Sequence, residues 1–185
     1  MILAEHYKHH DRMKKYCVAP MLMLGNQENK GGYSFGIPYL TLDPDGGDFK
    51  IDLNYPVKGP AAGPWATVYN LGTIEHVWNV NQAFISVARM ISFGGHYLGS
   101  HPVGGYEGHG IHVTDWKMIR EFFTLNGFEI VEEWFCDIDG ICKGQPVRGT
   151  GRNTGYFLAA KKVKDIEAFL PLPQQMFVNG AKVNG

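Results

Sequence analysis

The residues best suited to chemistry lie in one short stretch. Asn70, Gly72, Thr73, Glu75 and His76 follow directly on an apolar run made of Trp65, Ala66, Val68, Tyr69 and Leu71. An imidazole exchanges protons near neutral pH, so His76 is a candidate general base, with Glu75 beside it to orient it or its substrate. Three more histidines, His101, His109 and His112, flank or sit in the glycine-rich segment VGGYEGHGIHV and could share the same rim, with Tyr106 and Trp116 as apolar walls. Imidazole and carboxylate also suit Zn or Mn, so Glu75 and these histidines admit a metal-dependent hydrolase as an alternative. The compact HExxH and HxHxD-like spacings of such enzymes are missing from the sequence. The plain alternative is a strand-to-helix loop whose Glu-His pair is merely solvated.

These residues need a scaffold, and the chain spells one. Short apolar runs closed by turn residues read as buried strands. PMLMLG (20–25), PYLTLD (38–43), FKIDL (49–53) and PWATVYNL (64–71) are four of them. A helix is expected from about Asn79 to Ile91, with Ala83, Phe84, Val87, Ala88 and Ile91 on one face and Asn79 or Asn81 as cap. SFGG should then turn the chain into a strand, HYLGS, that reaches His101 and Pro102. A second helix is capped by Thr114 or Asp115, faces Trp116, Ile119, Phe122 and Phe123 inward, and stops at Asn126-Gly127. Strands follow over 128–136 and 156–163, separated by a long loop. Glu5 to Cys17 reads as a helix whose His6, His9, His10, Met13 and Cys17 stripe packs on the domain. Asp165 to Leu170 reads as a helical turn stopped by Pro171, and Met176, Phe177 and Val178 dock the tail.

With 185 residues, 44% of them hydrophobic and 19% charged, the chain is expected to form one domain over 1–185, with 1–19 as an N-terminal helix and 164–185 as a tail. A formal net charge of -1 without long Lys/Arg runs argues against an electrostatic nucleic-acid binder. No apolar run reaches the length of a membrane span, and the first residues lack a signal-peptide core. Cys17, Cys136 and Cys142 are too few and too irregular for a disulfide framework. A reduced, cytoplasmic protein is the expectation.

The ordered set of pieces resembles the class I S-adenosylmethionine-dependent methyltransferases. The residues that carry it are NLGTIEHVWN after the fourth strand, the helix, SFGGHYLGSHP, the helix ending NGF, and FEIVEEW. The resemblance covers roughly residues 20–163. It implies an α/β, Rossmann-like, mostly parallel sheet with an antiparallel C-terminal strand pair. The N-terminal half is short of helices, because 25–38 and 43–49 leave no room for the usual crossovers. The glycine loop, GNQENKGG, keeps one glycine, Gly25, in the expected place.

By position, the resemblance implies that S-adenosyl-L-methionine would meet Gly25 and Asn26 after the first strand and Asn70, Leu71 and Gly72 after the fourth. Asp43 would take the ribose hydroxyls, since a carboxylate accepts two hydrogen bonds from a vicinal diol. Asp52 and Leu53 would meet the adenine amino group. His76, with Glu75 and His109, would serve the acceptor, expected to be a small molecule and neither nucleic acid nor membrane. A second copy or the tail from Pro171 would cover the open acceptor side. A catalytically degenerate cofactor-binding or protein-interaction module is the other reading that the single glycine leaves open.

Overall fold

The computed structural model describes residues 9, 11–25, 35–106, 108–137, 142–143, 153–171, 177–178 and 181–182. Strands β1 (Met21–Leu24), β2 (Tyr39–Leu42), β3 (Trp65–Leu71) and β4 (Ile91–Gly104) are followed by β5 (Phe128–Asp137), β6 (Cys142–Lys143) and β7 (Thr154–Lys162). They form one sheet in the order β2-β1-β3-β4-β7-β5-β6. The pairs from β2 to β4 are parallel. β7 inserts antiparallel between β4 and β5, and β6 pairs antiparallel with β5. The short strands β8 (Phe177–Val178) and β9 (Ala181–Lys182) pair with each other in a second sheet. Among the described residues no helix is long and apolar enough to cross a membrane.

Continuous apolar runs mark strands buried on both faces, and MLML of β1 is buried throughout. Leu22, Leu24, Val68, Tyr97 and Leu158 point to one face, where helices α1 (Val80–Met90) and α2 (Trp116–Leu125) pack. Met21, Met23, Tyr69, Leu98 and Phe157 point to the other. There the N-terminal segment supplies fully buried Met13 and buried His9, whose Nδ1 accepts from the Trp134 indole N–H at 3.2 Å. Arg12, Lys15 and the Tyr16 hydroxyl all reach the Glu132 carboxylate on β5. Residues 11–13 are helical and run into a 3-10 turn, Lys14–Tyr16, in place of a helix reaching Cys17; His6 and His10 lie outside the described residues.

Both main helices start where their caps predict. Asn79 Oδ1 accepts from the Gln82 N–H, and Asp115 Oδ1 from the Lys117 N–H. Each satisfies a first-turn donor that has no partner inside the helix.

Three expected elements differ. FKIDL is not a strand: Phe49 alone makes a parallel bridge to Leu42. Asp48 explains how so short a turn achieves this, because its carboxylate accepts from both the N–H and the hydroxyl of Thr41. The turn thereby replaces a crossover helix and leaves Asp52 in a loop. SFGG does not turn the chain, since β4 begins at Ile91 directly after α1 and runs through it. A Cβ on Gly95 would stand 2.8 Å from the Ala66 carbonyl oxygen, so that glycine serves the close approach of β3. Residues 165–170 form no helical turn. Instead Asn126 clasps Leu170 in both directions, Nδ2 donating to its carbonyl and Oδ1 accepting from its N–H.

Candidate active site

β1 has β2 on one side and β3 on the other, so the order of strands reverses there. A crevice opens outside the carboxyl ends at such a point. It holds a cleft of about 340 Å³, within the range of roughly 300–1,000 Å³ common for ligand pockets. Six residues expected from the sequence line it: Gly25, Asp43, Asp52, Leu53, Gly72 and His76. Thr73, Val77 and Asn54 line it as well. Among the described residues the lining holds Asp43, Asp45 and Asp52 but neither Lys nor Arg.

Local hydrogen bonds fix two of these acids, Asp43 and Asp52, before any ligand arrives. Asp43 Oδ1 accepts from the Asp45 N–H at 2.9 Å. Asp52 Oδ1 accepts from the backbone and side-chain N–H groups of Asn54, at 2.8 and 2.7 Å. Asn54 Oδ1 in turn accepts from the Asn79 N–H, tying this loop to the start of α1.

Asn70 and Leu71 lie buried beneath the corner and are not among the lining residues. Asn70 Oδ1 accepts from the N–H groups of Thr73 and Ile74, both at 3.1 Å, while Nδ2 donates to the Ser100 carbonyl. It therefore shapes the turn that presents Thr73 and His76. The Thr73 hydroxyl donates to the Leu24 carbonyl, joining the ends of β3 and β1. Asn26 lies outside the described residues.

Glu75 is buried, and its carbonyl accepts from the N–H groups of Ile111 and His112 at 2.8 and 3.0 Å. This hangs the glycine-rich loop on the corner. It brings the exposed His109 ring to 5.2 Å from the exposed His76 ring, at 74°. Candidate ligand atoms of Glu75, His76 and His109 all lie within 4.8 Å of one another. Tyr106 stands 5.8 Å from His109, and burial together with the Glu75 charge raises its phenol pKa.

The other rim histidines expected from the sequence belong elsewhere. His101 lies within β4, buried, 2.7 Å from the Tyr97 hydroxyl through Nε2 and stacked on Phe84. Its place under α1 removes it from the acceptor rim. His112 turns Nε2 to the Trp78 carbonyl at 3.0 Å. Trp116 packs on Phe135 and Tyr156 and lines no part of the cleft.

Burial lowers the His101 pKa from 6.5 to about 3. Between those values the unfolded chain binds a proton that the folded one does not. Stability is therefore complete above pH 6.5 and falls as pH drops toward 3. From pH 6.5 to 5 this group alone is expected to remove about 1.5 kcal/mol. Urea titrations should show that component in the parent and not in His101→Gln; equal slopes would contradict it.

Asn54 was the lining position least visible in advance. The DLN triplet (52–54) carried a usable signal, since Asp two residues before an amide donor favours a side-chain-closed turn.

No protein-family model matches the chain, and no curated protein matches it. Solved structures do. A candidate methyltransferase from Bacillus halodurans C-125 superposes with a TM-score of 0.61 at 11% identity, covering 85% of this chain and 99% of that one. The N-methyltransferase NodS from Bradyrhizobium japonicum WM9, in complex with S-adenosyl-L-homocysteine, gives 0.59 at 11% identity over 88% and 90%. A TehB-like SAM-dependent methyltransferase from Corynebacterium glutamicum gives 0.52 at 17% identity over 89% of each chain. At these identities the likeness defines the fold, which is the α/β fold of class I methyltransferases.

Proposed function

We propose that the chain is an S-adenosyl-L-methionine-dependent methyltransferase acting on a small-molecule acceptor. The observation that carries this reading is the meeting of Gly25, Asp43, Asp52, Gly72 and His76 in one cleft at the switch point of the sheet. The residues present fit the cofactor. The described lining, with three aspartates, suits a cationic sulfonium nucleoside better than a pyrophosphate. The fold shared with NodS, which was solved with S-adenosyl-L-homocysteine, supports the same assignment.

When bound, S-adenosyl-L-methionine supplies an activated methyl group on sulfur, transferred by in-line displacement. The chain's own residues position the partners. Asp43, just past β2, would accept from the ribose hydroxyls, and Asp52 with Leu53 would meet the adenine edge. Gly25 and Gly72 leave room at the ends of β1 and β3. His76 is the base that takes a proton from the acceptor, with Glu75 and His109 behind it. Tyr55 and Trp78, both largely exposed, are the chain neighbours of the hydrogen-bonded Asn54 and Asn79.

Adding S-adenosyl-L-homocysteine at about 100 times its Kd is expected to stabilise the protein by about 2.7 kcal/mol. For a chain of this length that is a rise in Tm of roughly 5–11 °C, readable by thermal shift. No shift at millimolar ligand would overturn the cofactor assignment. Transfer of a labelled methyl group to members of an acceptor panel would then test the activity itself.

A further inference from the structure

Beside the cleft, the corner brings together three side chains that share one chemistry. Glu75 is buried at the base of the turn, His76 follows it, and His109 arrives from a loop distant in sequence. Their candidate ligand atoms all fall within 4.8 Å of one another. We propose that Glu75, His76 and His109 bind a divalent first-row transition cation at the edge of the cleft.

The loop that delivers His109 is fixed by its backbone. The Ile111 and His112 N–H groups both donate to the Glu75 carbonyl, and the His109 N–H donates to the Tyr106 carbonyl at 2.9 Å. Gly110 adopts φ +78, and a Cβ there would meet the Glu75 carbonyl oxygen at 3.0 Å and its Cγ at 3.1 Å. The loop can lie this close to Glu75 only with glycine at 110. The contact that holds the loop therefore involves the same residue that supplies the carboxylate.

The donor set selects the kind of cation. Two imidazoles and one carboxylate match Zn, Mn or Fe(II) far better than Mg or Ca, which prefer oxygen alone. Around such a cation each donor stands at about 2.0–2.2 Å, which places neighbouring donors on the order of 3–4 Å apart. The observed grouping is slightly wider. Two exposed imidazoles can close that difference by small side-chain rotations, while the buried carboxylate stays in place. Three protein donors leave coordination positions open, and His76 also lines the cleft, so the open side faces it. The acidic lining adds an attractive field for a cation.

The cation's position beside an acceptor rests on the methyltransferase reading, whereas its binding does not; a His76 nitrogen that holds the cation cannot also take the acceptor's proton, so the base role belongs to the metal-free chain. The test uses the full chain and Zn(II) alone, with bound metal counted by elemental analysis after equilibrium dialysis. Glu75→Gln and His109→Ala should each lose one equivalent of zinc relative to the parent, with at least a tenfold weaker Kd. His112→Ala, which changes a histidine of the same loop that faces the Trp78 carbonyl, should keep it. Parent protein without a bound equivalent, or an equivalent kept by both Glu75→Gln and His109→Ala, would overturn the proposal. Loss in His112→Ala equal to that in His109→Ala would overturn the ligand assignment. Thermal shift with S-adenosyl-L-homocysteine on the same proteins separates the two readings. A retained shift in zinc-free His109→Ala shows a folded cleft without the metal, and zinc binding without any shift in the parent removes only the cofactor.

Discussion

Replacing Asp43 with alanine is expected to weaken S-adenosyl-L-homocysteine binding by about 30- to 1,000-fold, a loss of about 2–4 kcal/mol. The magnitude follows from two hydrogen bonds to a charged acceptor that the ribose hydroxyls would lose together. The backbone around the site should survive the change. The Asp43 N–H still donates to the Phe49 carbonyl at 3.0 Å, so the bridge that shapes this edge of the cleft remains. The side chain's bond from the Asp45 N–H, in an exposed turn, is lost with the carboxylate. Isothermal titration therefore reads binding without a collapse of the protein. Asp43→Asn, which keeps the shape but only one acceptor oxygen, should fall between the two. An unchanged Kd in Asp43→Ala would end the ribose assignment.

Phe123→Ala should cost about 3–5 kcal/mol, the range for truncating a buried aromatic. Phe123 is fully buried on the inner face of α2 and stacks on Tyr97 at 4.3 Å between ring centroids. It also meets Phe122, Phe128 and Phe84 at 5.3, 5.2 and 6.0 Å. No single neighbour can move to fill the space, because each is held by its own strand or helix. Domains are typically stable by only about 5–15 kcal/mol, so this one change threatens the whole fold. Urea unfolding should show a lower midpoint with an unchanged slope. A loss under about 1 kcal/mol would mean that α2 does not pack here.

Much of the scaffold was readable because its signals are local. Asn79 with Ala83, Phe84 and Val87 spells a capped amphipathic helix, and the structure starts α1 there. MLML and WATVYNL spell buried strands without outside help. The failures share a cause in contacts distant along the chain. FKIDL alternates like a strand, yet only Phe49 finds a partner, in a parallel bridge held where Asp48 ties the loop to Thr41. The glycines of SFGG look like punctuation, yet Gly95 answers to Ala66 on a neighbouring strand. His101 reads as polar rim until Phe84 covers it.

The candidate site divides in the same way. Asp43, Gly72 and His76 follow from strand ends, which a sequence marks by where apolar runs stop, whereas Asp52 was reached through an FKIDL strand that the fold does not form. The support role of Asn70 does not, since it depends on Thr73, Ile74 and Ser100 presenting the right groups at once. The meeting of His76 with His109 was expected as part of a wider histidine rim, but nothing in either segment announces the Glu75 carbonyl that joins them.

The His112 contact gives the protein an optical probe of its own. Trp78 is 75% exposed, while Trp65 and Trp134 are buried. Its carbonyl is bound to His112, and its chain neighbour Val77 lines the cleft. A molecule seated there is expected to alter the surroundings of this water-facing indole through Val77, and a change in steady-state fluorescence on adding S-adenosyl-L-homocysteine, lost in Trp78→Phe, would report occupancy without any attached dye.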